Sequence, residues 1–309
     1  MLDTIDVAPG ITAIDTHMLG RYQVTSAYLV RGAEPALIET GPATSAEAVL
    51  RGLRSLGFDP ADLAHVVVTH IHLDHAGGVG TLADAFGSAT VWVHERGAPH
   101  LADPTRLVAS TARTYGDDTM REFFGEVLPV DAGRLRVVGE GERISLGTRS
   151  LDVLETPGHA SHHLCLVDDE TGALFTGDAL GVHIPDVGVL RPATPPPDCD
   201  VDAAVASIRR IRDRAQLLLL SHFGAVPAVD HLCELAEKRL LAWSETVRRA
   251  LLTTDDIEEI AGLLQQQGAA EYEDDSGQPI DLEKYDVLSS IRMNAAGLSR
   301  YWTKRAGSP

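Results

Sequence analysis

The sequence predicts a layered α/β protein (α+β in some schemes) with a helical C-terminal extension. Three observations predict it. Short apolar, β-branched runs alternate with segments of helical periodicity over roughly the first 225 residues. From about residue 230 onward the periodicity is mostly helical. The 309 residues are 44% apolar and 23% charged, a globular composition that excludes whole-chain disorder.

Taken in order, residues 22–30 and 36–39 read as strands, parted by the turn chemistry of Arg31-Gly32-Ala33-Glu34-Pro35. A helix is expected over 43–56, with apolar residues three and four apart and Gly57 as its stop. His65-Val66-Val67-Val68-Thr69 is β-branched and reads as a buried strand. A helix near 79–86 and a strand at Val91-Trp92-Val93 come next. Residues 99–130 carry mixed helical periodicity and no β alternation, so they read as an insertion or lid of short helices. Strands return at 135–138, 144–146 and 151–154. Those at 164–167 and 173–175 flank Asp168-Asp169-Glu170-Thr171-Gly172, a hairpin signal. Four prolines make 190–200 an irregular loop. Residues 201–214 read as a helix and 217–220 as a fully buried strand. In the helical remainder, Glu271-Tyr272-Glu273-Asp274-Asp275 reads as a solvated interruption. The expected organisation is a catalytic unit over 1–228 and a helical extension, 229–309, packed on it.

Lys and Arg total 26 against 45 Asp and Glu, a formal charge of −19. A field of that sign repels phosphate backbones and anionic lipid, so neither long nucleic acid nor a membrane surface is an expected partner. A small molecule remains the expected partner, because a local cation reverses the field inside a pocket. No run of about 18 apolar residues predicts a membrane span. The start, Met-Leu-Asp-Thr-Ile-Asp, lacks the basic and apolar regions of a secretory leader. Cys165, Cys199 and Cys233 are odd in number, far apart and form no Cys-x-x-Cys pair, so a reducing cytoplasm is the expected compartment. Cys165, inside a strand, is expected in the core. Composition leaves a homo-oligomer open.

The informative segment is Thr69-His70-Ile71-His72-Leu73-Asp74-His75-Ala76-Gly77-Gly78, directly after an apolar strand. Neutral imidazoles and a carboxylate are the usual ligands of zinc and related divalent ions. The glycines after His75 let backbone pass close by. Further His and Asp residues stand just past other apolar strands: His159 in Thr156-Pro157-Gly158-His159, Asp178 in Thr176-Gly177-Asp178, and His222 in Ser221-His222-Phe223-Gly224. Strand ends are where open α/β sheets gather their ligands.

In those seven residues, in their order and spacing, the sequence resembles the metallo-β-lactamase superfamily over about residues 10–225. The resemblance implies a four-layer αβ/βα sandwich with metals at the edge between two sheets. It implies that His70, His72 and His159 hold one divalent ion, that Asp74, His75 and His222 hold a second, and that Asp178 bridges them. Zinc is the foremost candidate, and the same donors accept iron or manganese. A cysteine typical of the main zinc β-lactamases is absent where Asp178 stands, so antibiotic hydrolysis is not the expected activity. The flavodiiron pattern has Glu at the position of His72. The family's early Asp-Thr-Gly reads Glu39-Thr40-Gly41 here, and Glu39 is expected to hydrogen-bond the ligands. The bridging Asp and helical tail look most like the glyoxalase II side, although its glutathione-binding basic cluster has no match in the tail.

Two divalent ions roughly 3.5–4 Å apart can share a hydroxide whose pKa falls toward neutrality. The expected reaction is therefore hydrolysis of a small thioester, ester or lactone. Asp74 doubles as ligand and proton acceptor, and His183 is a candidate proton donor to the leaving group. His162 and His163 follow His159 closely and read first as ordinary packed histidines, one of them being a candidate to stand behind the ligands, while His94, His100 and His231 have no anchored role. Tyr115, Arg191, Arg292, Asn294 and Tyr301 are candidate substrate contacts, in a pocket walled by residues 99–130, the proline-rich loop and the C-terminal helices. Three alternatives stand beside this one: a phosphodiesterase on the same metals, a mononuclear iron enzyme resembling persulfide dioxygenases through His70, His159 and Asp178, and a non-catalytic scaffold.

Overall fold

The computed structural model describes residues 3–184, 189–276 and 283–307. Seven strands form the first sheet in chain order: Thr4–Ala8, Ile11–Asp15, Ser26–Val30, Ala36–Ile38, His65–Val67, Thr90–Val93 and Leu135–Val137. Pairing is antiparallel as far as Ala36–Ile38 and parallel beyond it. Six strands form the second sheet, in the order Ala225–Val226, Leu217–Leu219, Ala173–Phe175, Leu164–Asp168, Ser150–Glu155 and Arg143–Ser145. Only Ala173–Phe175 and Leu217–Leu219 pair in parallel there.

Side-chain alternation produces the layers. Val67 points between the sheets, while Val66 and Val68 point outward beneath the helices Ala46–Ser55 and Val79–Ala85. Leu164 and Leu166 likewise face the inter-sheet core, and Cys165 and Val167 face the opposite helices. Leu219 faces in; Leu218 and Leu220 face out. The central strands are apolar on both faces because each sheet is covered on both, whereas the edge strands Thr4–Ala8, Leu135–Val137 and Arg143–Ser145 keep exposed residues. The result is helix, sheet, sheet, helix. The second outer layer holds Val201–Arg214 together with Val229–Ala250, Ile257–Ser276 and Ile291–Ala306, packed through Ile208, Ile211, Leu240, Trp243, Leu264 and Leu298. The fold class is the one the sequence predicts, C-terminal helices included.

Several elements depart from expectation. Strands Thr4–Ala8 and Ile11–Asp15 were not legible, the second because all five of its residues are buried and no alternation shows. Residues 190 and 191 belong to a strand, Val189–Arg191, paired with Val182–Ile184, so the irregular loop starts only at Pro192. The acidic run 271–275 does not interrupt its helix, which continues to Ser276. Glu271 is drawn inward by Arg239, 3.6 Å away, and Trp243, whose Nε1 donates to it at 3.3 Å. Residues 98–124 form the short helices Ala98–Ala102, Thr105–Tyr115 and Asp117–Thr119 and a single π turn, Met120–Phe124. No helix among the described residues is long and apolar enough to cross a membrane.

Candidate metal centre

Four chain segments deliver the polar residues to one end of the sandwich. His65–Val67 leads into the loop and short helix carrying His70, His72, Asp74 and His75. Ser150–Glu155 leads to His159, Ala173–Phe175 to Asp178, and Leu217–Leu219 to His222. Gly177 shows how tightly Asp178 is held. Its φ is +48°, and a Cβ there would stand 2.4 Å from His163 Nε2 and 2.7 Å from Thr69 Oγ1. Glycine meets both demands. Glu39 also has a left-handed backbone, φ +65°, strain of the kind that gathers at functional sites.

The seven side chains converge. His72 Nδ1 lies 3.1 Å from His70 Nε2 and 2.8 Å from His159 Nε2. On the other side, His75 Nε2 lies 3.4 Å from Asp74 Oδ2, and His222 Nε2 lies 3.7 Å from the same oxygen. Asp178 stands between the groups. Its Oδ2 is 3.4 Å from His159 Nε2, while Oδ1 is 3.3 Å from His75 Nε2 and 3.1 Å from His222 Nε2. Three sets have donor atoms within 4.8 Å of one another: His70, His72 and His159; His70, His75 and Asp178; Asp74, His75 and His222.

The far side of most rings is also fixed. His159 Nδ1 faces the Ala193 carbonyl at 2.9 Å and His222 Nδ1 that of Val24 at 3.3 Å. A carbonyl only accepts, so both rings carry the proton on Nδ1 and turn the Nε2 lone pair to the centre. Glu39 Oε2 stands 3.4 Å from His75 Nδ1 as a facing charge without hydrogen-bond geometry, while Oε1 accepts from Thr69 N at 3.1 Å. His163 accepts from Asp178 N at 3.0 Å and therefore donates from Nδ1 to Thr156 Oγ1, 2.8 Å away. Of the two neighbouring histidines, it is the one that braces a central residue.

Burial and charge suit a cation. His75 Nε2, His222 Nε2 and Asp178 Oδ1 are buried with no hydrogen-bond partner. Leaving three such atoms facing each other is costly unless something positive sits among them. Burial, then the neighbouring imidazoles, holds His70 well below its ordinary range and His72 down to about 3. Burial alone would raise Asp74, yet His75 and His222 bring it down to about 2. Burial alone would lower His75, but Asp178, Asp74 and Glu39 hold it well above its ordinary range. Without a metal, a proton on His75 is the charge that balances the carboxylates. The residues therefore fit divalent ions on orphaned atoms, ligand type and charge alike.

Above the centre lies a cavity of about 450 Å³ whose floor includes His72, Asp74, His159 and Asp178. Tyr115 and Asn294 line it. Burial, reinforced by Asp74 and Asp178, holds the Tyr115 phenol above its ordinary range, so it is a neutral donor. The Asn294 side chain is spent on the loop, accepting from Thr194 N at 2.8 Å.

Four expected residues are not brought to the cleft. Arg191 is 1% exposed, stacks 4.7 Å over the Tyr285 ring and donates to the Ser289 carbonyl. Arg292 is exposed and paired with Glu258 at 2.6 Å, outside the cavity lining. Tyr301 packs beside Trp302 and Arg305. His183, half-buried in Val182–Ile184, does not line the cavity. Conversely, His162, Ser161, Asp198, Arg96, His100, Arg106 and Arg113 do line it. The shared helical face of Arg106, Ser110 and Arg113 was the one sequence signal for that wall.

Comparison with known proteins agrees with this architecture. A family model for the metallo-beta-lactamase superfamily matches residues 19–222. A metallo-beta-lactamase fold-containing protein of Sulfurisphaera tokodaii is 29% identical over 182 residues, 57% of this chain and 67% of that one. A hydroxyacylglutathione hydrolase of Rhodospirillum rubrum is 28% identical over 170 residues, 55% and 53% of the two chains. The matched segment thus spans between half and two thirds of these relatives. The crystal structure of a metallo-beta-lactamase family protein from Thermus thermophilus superposes with a TM-score of 0.69 over 97% of this chain and 95% of that one, at 21% identity. The family match takes in every one of the seven converging residues and well over half of the sequence, and this chain belongs to the metallo-beta-lactamase superfamily.

Proposed function

We propose that the protein is a metal-dependent hydrolase acting through two divalent ions, zinc foremost, on a small thioester, ester or lactone. One observation carries the reading: Asp178 presents Oδ2 to one imidazole group and Oδ1 to the other, and Oδ1 has no hydrogen-bond partner. His70, His72 and His159 would hold one ion, Asp74, His75 and His222 the other, with Asp178 shared. Bound there, such ions supply Lewis acidity and a water acidified toward neutral pH.

The chain's own groups do the rest. The carbonyl of Ala193, the carbonyl of Val24 and the Glu39 carboxylate keep His159, His222 and His75 aimed inward. Asp74 is the most exposed of the three carboxylates around the centre, and Oδ2 is its oxygen that faces His75 and His222. We assign to this carboxylate the role of accepting the proton of attacking water. Tyr115 and the proline-rich loop narrow the cavity and orient substrate. With His183 off the cavity lining, a leaving group that needs no acid is favoured. A thiolate, with a thiol pKa of about 8.5, is such a group. Hydroxyacylglutathione hydrolases among the relatives support the same bond type.

The test pairs metal analysis of the purified protein by plasma mass spectrometry with turnover of a thioester and ester panel. Near two equivalents of zinc or manganese with thioester turnover are expected, both reduced in Asp178→Ala. Full metal and full activity in that variant would sink the assignment. One equivalent of iron with oxygen uptake on a persulfide would replace it with the oxygenase.

A further inference from the structure

The cavity that holds the candidate ligands is also lined by cations. The helix Thr105–Tyr115 lines the cavity with Arg106, Ser110, Arg113 and Thr114, and Arg96 joins them from just before Ala98–Ala102. These helix positions are three and four apart along one face, so they reach the cavity together. None of the three arginines forms a salt bridge within 4 Å among the described residues, although Asp103, just before the helix, feels the charge of Arg106 as a minor influence. Elsewhere Arg121, Arg143, Arg149, Arg209, Arg210 and Arg248 each take a carboxylate, while Arg134 and Arg136 donate to backbone carbonyls. The helix itself contains no acidic residue, in a chain of net charge −19. The facing wall, from Leu288 to Asn294, lines the cavity with uncharged side chains. Asp198, at the proline-rich rim, is engaged by Ser161 through both its backbone N–H and its hydroxyl.

Guanidinium groups that line one concave surface without salt-bridge partners attract an anion and fork onto its oxygens. We propose that the substrate carries an anionic group, a carboxylate or phosphate, set apart from the scissile carbonyl. Arg96, Arg106 and Arg113 hold that group while the carbonyl lies over the floor. This deepens the hydrolase reading and rests on it for the bond that is cleaved, but its test is separate. The wall selects among esters and thioesters by charge, and it supplies locally the attraction that the chain's overall charge opposes.

The experiment is calorimetric titration of the metal-loaded protein with three uncleavable thioethers of equal length, ending in carboxylate, phosphonate or carboxamide. An anionic probe is expected to bind at least about tenfold tighter than the carboxamide, a preference that shrinks with salt. In R106Q/R113Q the ratio is expected to fall to near one. A preference confined to one anion supports the proposal and names the group. Equal binding of anion and amide overturns it, as does a preference that survives in R106Q/R113Q, which would place the anion on the metals instead. Hydrolysis is read in parallel with three thioesters: glutaryl and pentanoyl esters of one neutral thiol, and the pentanoyl ester of 3-mercaptopropionate. If none is cleaved while the binding preference holds, the hydrolase reading falls and the anion site stands. If all are cleaved at equal kcat/KM, the anion site falls and the hydrolase reading stands.

Discussion

On the floor of the cleft, His70, His75, His159 and His222 are 6% exposed or less, and each has its outer ring nitrogen turned to a side chain or carbonyl of the scaffold. On the wall, the helix Thr105–Tyr115 has no fully buried residue, and Arg106 and Arg113, which line the cavity, are exposed. The floor is set by strand ends packed on both faces; the wall is a short helix resting on the apolar residues of its underside. A buried polar group misplaced by an ångström loses its partners, whereas an exposed arginine re-aims at little cost. The floor is suited to fixed chemistry and the wall to choosing what reaches it.

This contrast can be broken by experiment. The largest effect is expected from His222→Ala on the floor: one ion lost and kcat/KM on a thioester down by more than about a hundredfold. Metal analysis beside the assay checks it, and unchanged stoichiometry would remove His222 from the ligand set. Next comes Glu39→Gln. The new amide can donate to His75 Nδ1, which moves the ring proton to Nε2 and blocks the lone pair facing the centre. Metal affinity should fall about ten- to a hundredfold in chelator competition. Wild-type affinity in that variant would leave Glu39 only its bond to Thr69.

The pH dependence follows from His75. The carboxylates around it overcome burial and hold its pKa above the ordinary value, so the metal-free centre keeps that proton at neutral pH. Binding metal expels it. Affinity should therefore rise with pH, by about tenfold per unit while His75 is protonated, and level off above its pKa. A flat profile from pH 6 to 8 would mean no proton is displaced. The smallest effect belongs to the wall. Leu107, half-buried between two apolar clusters, should cost about 1 kcal/mol when changed to Ala, read as a lower midpoint of thermal unfolding. Metal content should not change, and loss of metal in Leu107→Ala would show that wall and floor are one unit.

What was legible in the sequence divides along the same line. The seven converging residues each follow an apolar strand within a few positions, so spacing brings them to notice, and the family resemblance separates them from His94, which follows Thr90–Val93 just as closely. The wall depends on which face a helix turns, and that is decided by partners far along the chain. Arg191 was expected in the cleft because it follows Asp178 in sequence. Strand alternation turns it instead toward Tyr285, 94 residues away. Arg292 and Asn294 are two residues apart on one helix; the first meets Glu258 and the second meets Thr194. Nothing local distinguishes them.

Gly297 carries a consequence for how such proteins diversify. A Cβ there would lie 1.8 Å from the Thr194 carbonyl oxygen, so the helix Ile291–Ala306 sits directly on the backbone of the loop bordering the cleft. Asn294 fastens the same loop two contacts over, through Thr194 N and Oγ1. The rim thus takes its shape from a segment about 100 residues downstream, while the strands that carry the centre take theirs from each other. Helix and rim form one cassette. Exchanging the cassette between relatives would transplant a mouth of different contour onto an unaltered engine, and a graft of the loop without its helix would arrive unsupported.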